Sequence, residues 1–285
     1  SIFLERSKMF VMSKKIFTAA LIAGSMFMVA DVNAAPKSEL WEKWAVHDVQ
    51  STAVVDHSNW DKFLKTYVKD NPSGLNKVDY AGVTIEDKKS LDDYVNALAV
   101  TPVLKLNRGQ QQPYWINLYN ALTVKVVLDH FPVKSIRDID ISPGLFSSGP
   151  WGKKLVEIAG EQISLDDIEH RILRPIWKDP RIHYAVNCAS VACPDLSVQA
   201  YTAENTDTML SVNAVAYINS PRGVRVSAND VIVSSIYDWF QADFDGTEKG
   251  VIAHLLPYAK GDRKKALEKA SGISDYDYDW ALNGL

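Results

Sequence analysis

Apolar positions recur along this chain in two rhythms, and the three-to-four-residue helical one dominates. SELWEKWAVHD (38–48) and SNWDKFLKTYVKD (58–70) follow it, which predicts two amphipathic helices, the second capped by Ser58. NPSGLNKVDYAGV then reads as a turn running into a short strand. EDKKSLDDYVNALAV predicts another amphipathic helix, and the polar TPVLKLNRGQQQ a loop. PYWINLYNALTVKVVLDHFP (113–132) is apolar nearly all round, the mark of a central buried helix. Pro113 suits its first position, and Pro132 lies just beyond its end.

The second half adds strands. LVEIAGEQI reads as two short strands about Gly160, and SLDDIEHRILRPIW as a helix that Ser164 caps with Asp167 in the capping-box position. RIHYAVN (181–187) is expected as a strand and CASVACPDL as the loop after it. A helix from Thr202 follows, then the hairpin VRVSANDVIVSS turning at Asn229-Asp230, then IYDWFQADF and two further helices. Many helices with few strands define an α+β class. A helical amino-terminal section (35–72) is expected to pack on a domain spanning 73–285, with a small antiparallel sheet and the central buried helix.

Charge and composition bear on location. Lys14 and Lys15 precede the uncharged run 16–30, and small Val32 and Ala34 occupy cleavage positions. This predicts a secretory signal peptide over 1–34, with 1–11 an upstream extension ahead of Met12. A membrane span takes about 20 apolar residues, more than this run holds, so no membrane insertion is expected after cleavage. The mature chain then begins at Ala35 in the periplasm or outside the cell. It keeps 27 basic and 33 acidic residues, a net charge of −6. Such an acidic body is poorly suited to nucleic acid or anionic membrane surfaces. No P-loop, dinucleotide-binding glycine pattern or zinc-protease helix occurs, and no cofactor is expected.

Candidate chemistry lies in polar residues at apolar places, because a buried polar group must find a partner. Both cysteines of the chain, Cys188 and Cys193, sit just after His183. They read as a nucleophile with its base, half of a metal site or a small disulfide clip. Four intervening residues match no tight zinc knuckle, and a metal would need Glu169, His170 and His183 as further ligands. On a strand, alternation sends His183 and Cys188 to opposite faces, so a base for Cys188 would come from elsewhere, such as His170. Glu169 shares the apolar stripe of Leu165, Ile168 and Ile172. It reads as an acid/base or orienting group, or as an ion pair with Arg171, Arg174 or Arg181. His170 turns about 100° away, towards Asp166. Asn117 and Asn120 share one face of the central helix, their amides meeting either backbone or a ligand.

VDYAGV, YWINLYNALTVKVV, ISLDDIEHRILRP, DPRIHYAVNCASVACPDL, WFQADF and YDWALN together resemble the family called domain of unknown function 547, from about Val78 to Asn283. That resemblance implies a set of signature positions and no reaction. A fainter likeness is to papain- and transglutaminase-like thiol enzymes. It would make PYWINLYNA the buried helix, with Asn117 where a cysteine is expected, and His183 the sheet histidine. Two functions follow as expectations. One is a thiol-dependent hydrolase or acyl-transfer enzyme acting on a peptide-like or small-molecule substrate. There Cys188 attacks, His183 or His170 serves as base, Glu169 orients it, and Asn117 and Asn120 donate to substrate. The other is a non-enzymatic module for a ligand or partner, in which Cys188 and Cys193 form a clip and the polar residues line a pocket.

Overall fold

The long apolar stretch becomes the helix around which the first core is built. In this computed structural model residues 35–285 are described, except 72–73, 145–146 and 228–229. The leader expected over 1–34, and Asn229 of the hairpin turn, lie outside the described residues. Helix α3 spans Arg108–His130, and Tyr114, Trp115, Ile116, Leu118 and Leu122 along it are all within 1% of complete burial. It starts five residues earlier than its apolar pattern suggests. The Asn107 side chain caps it by accepting from the Gln110 N–H (3.0 Å). Gln111 then donates to Val46 O (2.9 Å) and Val103 O (2.8 Å), while Gln110 accepts from the Val55 N–H. These polar residues are buried because they complete the hydrogen bonding of neighbouring loops. Only a short turn at Val103–Lys105 remains of the predicted loop.

Helix α2 (Ile85–Val100) packs beside α3, and α1 (Ser58–Tyr67) packs on α2. Ser58 is the first residue of α1 rather than its cap; Asp56 Oδ1 accepts from its N–H. The helix expected over 38–48 is a single 3-10 turn, Glu42–Ala45. Its flank runs extended, donating from Glu39 N to His170 O (2.9 Å) and from Trp41 N to Arg171 O (3.0 Å). Those donors are therefore engaged across the fold rather than within a helix, and Trp44 anchors the segment edge-on against Trp115 at 5.2 Å.

The strands are short. β1 (Val68–Lys69) pairs antiparallel with β2 (Lys77–Val78), and β3 (Val156–Ile158) with β4 (Glu161–Ile163) through the turn at Gly160. β5 (Val224–Ser227) and β6 (Asp230–Ser234) form the expected hairpin, but β7 (Asp275–Asp277) joins β6 in parallel, so this sheet is mixed. α5 (Thr206–Ile218), α6 (Ile236–Trp239), α7 (Glu248–Leu255) and α8 (Gly261–Lys269) surround it as a second core. The fold is thus α+β. Among the described residues, no helix is long and apolar enough to cross a membrane.

Two amides of α3 tie loops to the core. Asn117 donates to Tyr201 O (2.8 Å) and accepts from Tyr201 N (3.0 Å). Asn120 donates to Ala185 O (2.9 Å) and accepts from Asn187 N (2.8 Å), gripping the chain just ahead of Cys188. Replacing Asn120 with Ala strands two buried backbone groups, each at about 1–3 kcal/mol. Denaturant unfolding is expected to show a loss of about 2–4 kcal/mol, whereas Asn120→Asp, which keeps only the acceptor, still loses the bond to Ala185 O.

Candidate functional site

The segment expected as a strand, RIHYAVN, is a 3-10 turn over Pro180–Tyr184. Asp179 caps it by accepting from Arg181 N (2.9 Å), Pro180 presets its first position, and no strand runs alongside. Strand alternation therefore does not separate His183 from Cys188. Their separation arises from tertiary placement, for each belongs to a different polar group.

The first group surrounds His183. The predicted helix of Glu169 exists, opened by the reciprocal Ser164–Asp167 capping box. Over Asp167–Leu173, however, it widens into π geometry before α4 (Arg174–Trp177). On this stretch both Glu169 and His170 are buried, so His170 does not face outward as its helical angle implied. It still lies 3.5 Å from Asp166. His183 Nε2 meets Asp243 Oδ2 at 2.7 Å, and Nδ1 lies 3.7 Å from Glu169 Oε1. Arg174 grips Asp243 through two nitrogens (2.6 and 3.1 Å) and contacts His170 Nδ1 at 3.0 Å. The Phe240 ring stacks on His183 with centroids 4.3 Å apart.

Burial opposes charge on Glu169, but His170, His183 and Arg174 outweigh it and bring the carboxyl down to about 2. Burial likewise opposes charge on His183, and the hydrogen bond to Asp243 with the nearby Glu169 carboxylate overcomes it, raising the imidazole. His183 is thus clamped between two carboxylates that favour its protonated form, which works against a general-base role.

The second group is the cysteine loop. Among the described residues Cys188 and Cys193 are free thiols with their sulfurs 2.8 Å apart. Cys188 is partly exposed and Cys193 buried. Ser190 Oγ lies 3.2 Å from the Cys188 sulfur and donates to the Tyr278 phenol (2.9 Å), which leaves the phenol proton for that sulfur at 3.1 Å. Burial would raise the Cys188 thiol; hydrogen bonds with Cys193, Ser190 and Tyr278 prevail and lower it. Burial and the neighbouring Cys188 push Cys193 well up. With both sulfurs protonated Cys188 donates to Cys193, and once Cys188 ionises the remaining proton sits between them on the Cys193 side.

The loop is held from all sides. Asn187 bonds to Pro194 O and Ala189 N, and Arg222 donates to Cys193 O (2.6 Å). The carboxyl-terminal segment accepts from Val191 N and Ala192 N through Ala281 O and Asp279 O. Ala189 takes a left-handed φ of 61°, a conformation that this surrounding bonding sustains.

The structure therefore brings Glu169, His170 and His183 together, and separately Cys188 with Cys193. Asn117 and Asn120, expected to face substrate, have both amide ends engaged by backbone. Among the described residues no imidazole is a hydrogen-bonding partner of Cys188, and no group of three or more His, Cys, Asp or Glu is placed to hold a metal. Three important residues escaped the sequence reading: Asp243, Ser190 and Tyr278. Asp243 lies in the apolar WFQADF, and Tyr278 in an alternating run of acidic and aromatic residues, signals that mark burial without naming a partner.

Fold and site together define an α+β protein carrying a clamped histidine and a paired-thiol loop. Residues 103–218, less than half of the chain, match the model of the family described as Protein of unknown function, DUF547. The match takes in Asn117, Asn120, Glu169, His170, His183 and both cysteines, and stops short of Asp243 and Tyr278. No curated protein and no solved structure matches the chain.

The charged group makes stability depend on pH. Glu169 titrates near 2 when folded, below its ordinary 4.5, so its stabilisation is complete above about 4.5 and is lost as pH falls through 2. His183 contributes oppositely: its stabilisation is complete below its ordinary 6.5 and fades as pH rises through its raised folded value. Unfolding titrations are expected to lose stability in both directions, and Glu169→Gln to flatten the limb between about 4.5 and 2.

Proposed function

We propose that Cys188 and Cys193 are a dithiol–disulfide couple that exchanges with the disulfide of a partner outside the cytoplasm. The observation that carries this reading is the pairing of an accessible, acidified thiol with a buried, proton-retaining one at 2.8 Å. The thiolate is the nucleophile in exchange, and lowering its pKa raises the fraction present near neutral pH. Cys188 Sγ⁻ attacks one sulfur of the partner disulfide, forming a mixed disulfide and releasing the partner's other sulfur as a thiolate. Cys193 loses its proton and attacks Cys188 Sγ, releasing the second partner thiolate. A Cys188–Cys193 disulfide remains, two electrons have passed to the partner, and its thiolates have taken up protons.

The clip expected from sequence becomes the oxidised arm of this couple. Closing the sulfurs from 2.8 Å to a bond of about 2.05 Å needs a shift of under an ångström. The clamped loop supplies that proximity in advance. Acyl transfer of the papain kind would seat a nucleophile on the buried helix beside an imidazole. Here α3 offers Asn117 at that place, while the hydrogen bonds about Cys188 come from a thiol and two hydroxyls. Those partners favour exchange, which needs no separate base. The expected leader supports a compartment in which disulfide partners occur.

Timed alkylation of the reduced protein with iodoacetamide, read by mass spectrometry, tests the assignment. Cys188 is expected to react first, with a midpoint below the usual thiol value of about 8.5. Tyr278→Phe removes one donor and should raise that midpoint by about one pH unit. With a model disulfide, Cys193→Ser should accumulate the mixed disulfide and Cys188→Ser should form none. Preferential alkylation of Cys193, or an unshifted Cys188 midpoint, contradicts the proposal.

A further inference from the structure

Cys188 borders an aromatic wall through Tyr278. Tyr278, whose phenol meets its sulfur, has its ring centroid 4.7 Å from Trp239 and 4.7 Å from Trp280. Trp239 and Trp280 stack at 5.6 Å, and Trp151 meets Trp280 edge-on at 5.8 Å. All four rings are half-buried, so each keeps part of its surface in water. Two of them come from one segment, Asp275-Tyr276-Asp277-Tyr278-Asp279-Trp280, in which burial alternates strictly: every ring is half-buried and every carboxylate exposed.

This alternation follows from extended backbone, which sends successive side chains to opposite sides. It borders the dithiol with indole and phenol rings and fringes those rings with Asp277 and Asp279; Asp238, exposed beside Trp239, extends the fringe. Cations lie close by, Arg222 against the cysteine loop being paired with Asp195 at 3.0 Å. Arg225 pairs with Asp277 at 3.2 Å, and Arg137 lies 5.3 Å over the Trp280 ring. Asp238 and Asp279 have no such cation paired to them among the described residues.

Building on the exchange chemistry above, we infer that this wall recognises the partner. That partner is a peptide or protein disulfide flanked by aromatic or apolar and cationic side chains, as opposed to a small anionic disulfide. Half-exposed aromatic rings offer large rigid faces to apolar side chains, and their π faces also attract cations. Sulfur packs favourably against ring edges, so the same surface accepts the cystine itself. The carboxylate fringe supplies the sign: it attracts cationic segments and repels anionic disulfides before contact. A disulfide without flanking residues reaches Cys188 but touches little of the wall.

The test uses the full reduced chain and three probes: a cystine peptide with flanking Trp and Lys, the same peptide with Glu for Lys, and hydroxyethyl disulfide. Exchange rates are followed by mass spectrometry at low and high salt. The cationic peptide is expected to react about tenfold faster than either other probe at low salt, and its lead over the Glu peptide to collapse as salt screens the fringe. In Trp239→Ala the lead of the cationic peptide over hydroxyethyl disulfide should fall to less than about threefold. Equal wild-type rates for the three probes, or a lead unaffected by both salt and Trp239→Ala, overturn the recognition surface alone. No exchange with any of the three overturns the dithiol chemistry and the surface with it. The selectivity and salt measurements need only the wild-type chain, so they decide the matter even if the variant does not fold.

Discussion

The grip of Asn120 on the chain ahead of Cys188 is the constraint from which the rest of the site follows. Its amide lies on a helix whose buried surface is mostly hydrocarbon, where an unpaired polar group would be costly. It is tolerated because its two ends match a carbonyl and an N–H two residues apart, Ala185 O and Asn187 N. Fixing those two groups fixes where the loop begins. Asn187, itself buried, then passes the constraint on through Pro194 O and Ala189 N. The sulfurs inherit their 2.8 Å separation from this chain of bonds.

Two kinds of polar burial coexist within one molecule and have different consequences. Around His183 opposite charges meet directly, and each group favours the ionised form of its partners. Glu169 and Asp243 are drawn below their usual ranges despite burial, and His183 is raised. Such a network suits holding the π-widened helix against the 3-10 turn and WFQADF. Around Cys188 the donors are neutral, the Cys193 thiol and the Tyr278 hydroxyl that Ser190 in turn supports, and they stabilise an anion without supplying a compensating cation. An anion held by neutral donors remains available to react. That difference in partners, more than any distance, separates the charged cluster around His183 from the thiol pair.

The carboxyl-terminal segment links sheet, loop and surface. Residues 275–277 complete the mixed sheet, and Tyr278 reaches Cys188. Asp279 and Ala281 accept from the cysteine loop, and Asn283 bonds Tyr80 and the backbone at Ala189. One stretch of fewer than a dozen residues therefore supports the thiols from below and frames their approach from outside.

Local pattern determined a good part of this in advance. The buried helix, the Ser164–Asp167 box, the β5–β6 hairpin and the inward-facing Glu169 were legible, because each rests on periodicity or on bonds between near neighbours. The spacing of the two cysteines made a clip one of three open readings, while their 2.8 Å approach was set by the bonding around the loop. What failed was what local pattern does not encode. RIHYAVN has strand composition, yet lacking a partner strand and capped by Asp179 it coils into a 3-10 turn. NRGQQQ looks like a loop because its glutamines are polar, yet they are drawn inward by the unpaired backbone of neighbouring segments. Asp243 and Tyr278 reach His183 and Cys188 across 60 and 90 residues of chain. Periodicity says that a side chain is turned inward; only the packing of distant elements decides which side chain it meets there.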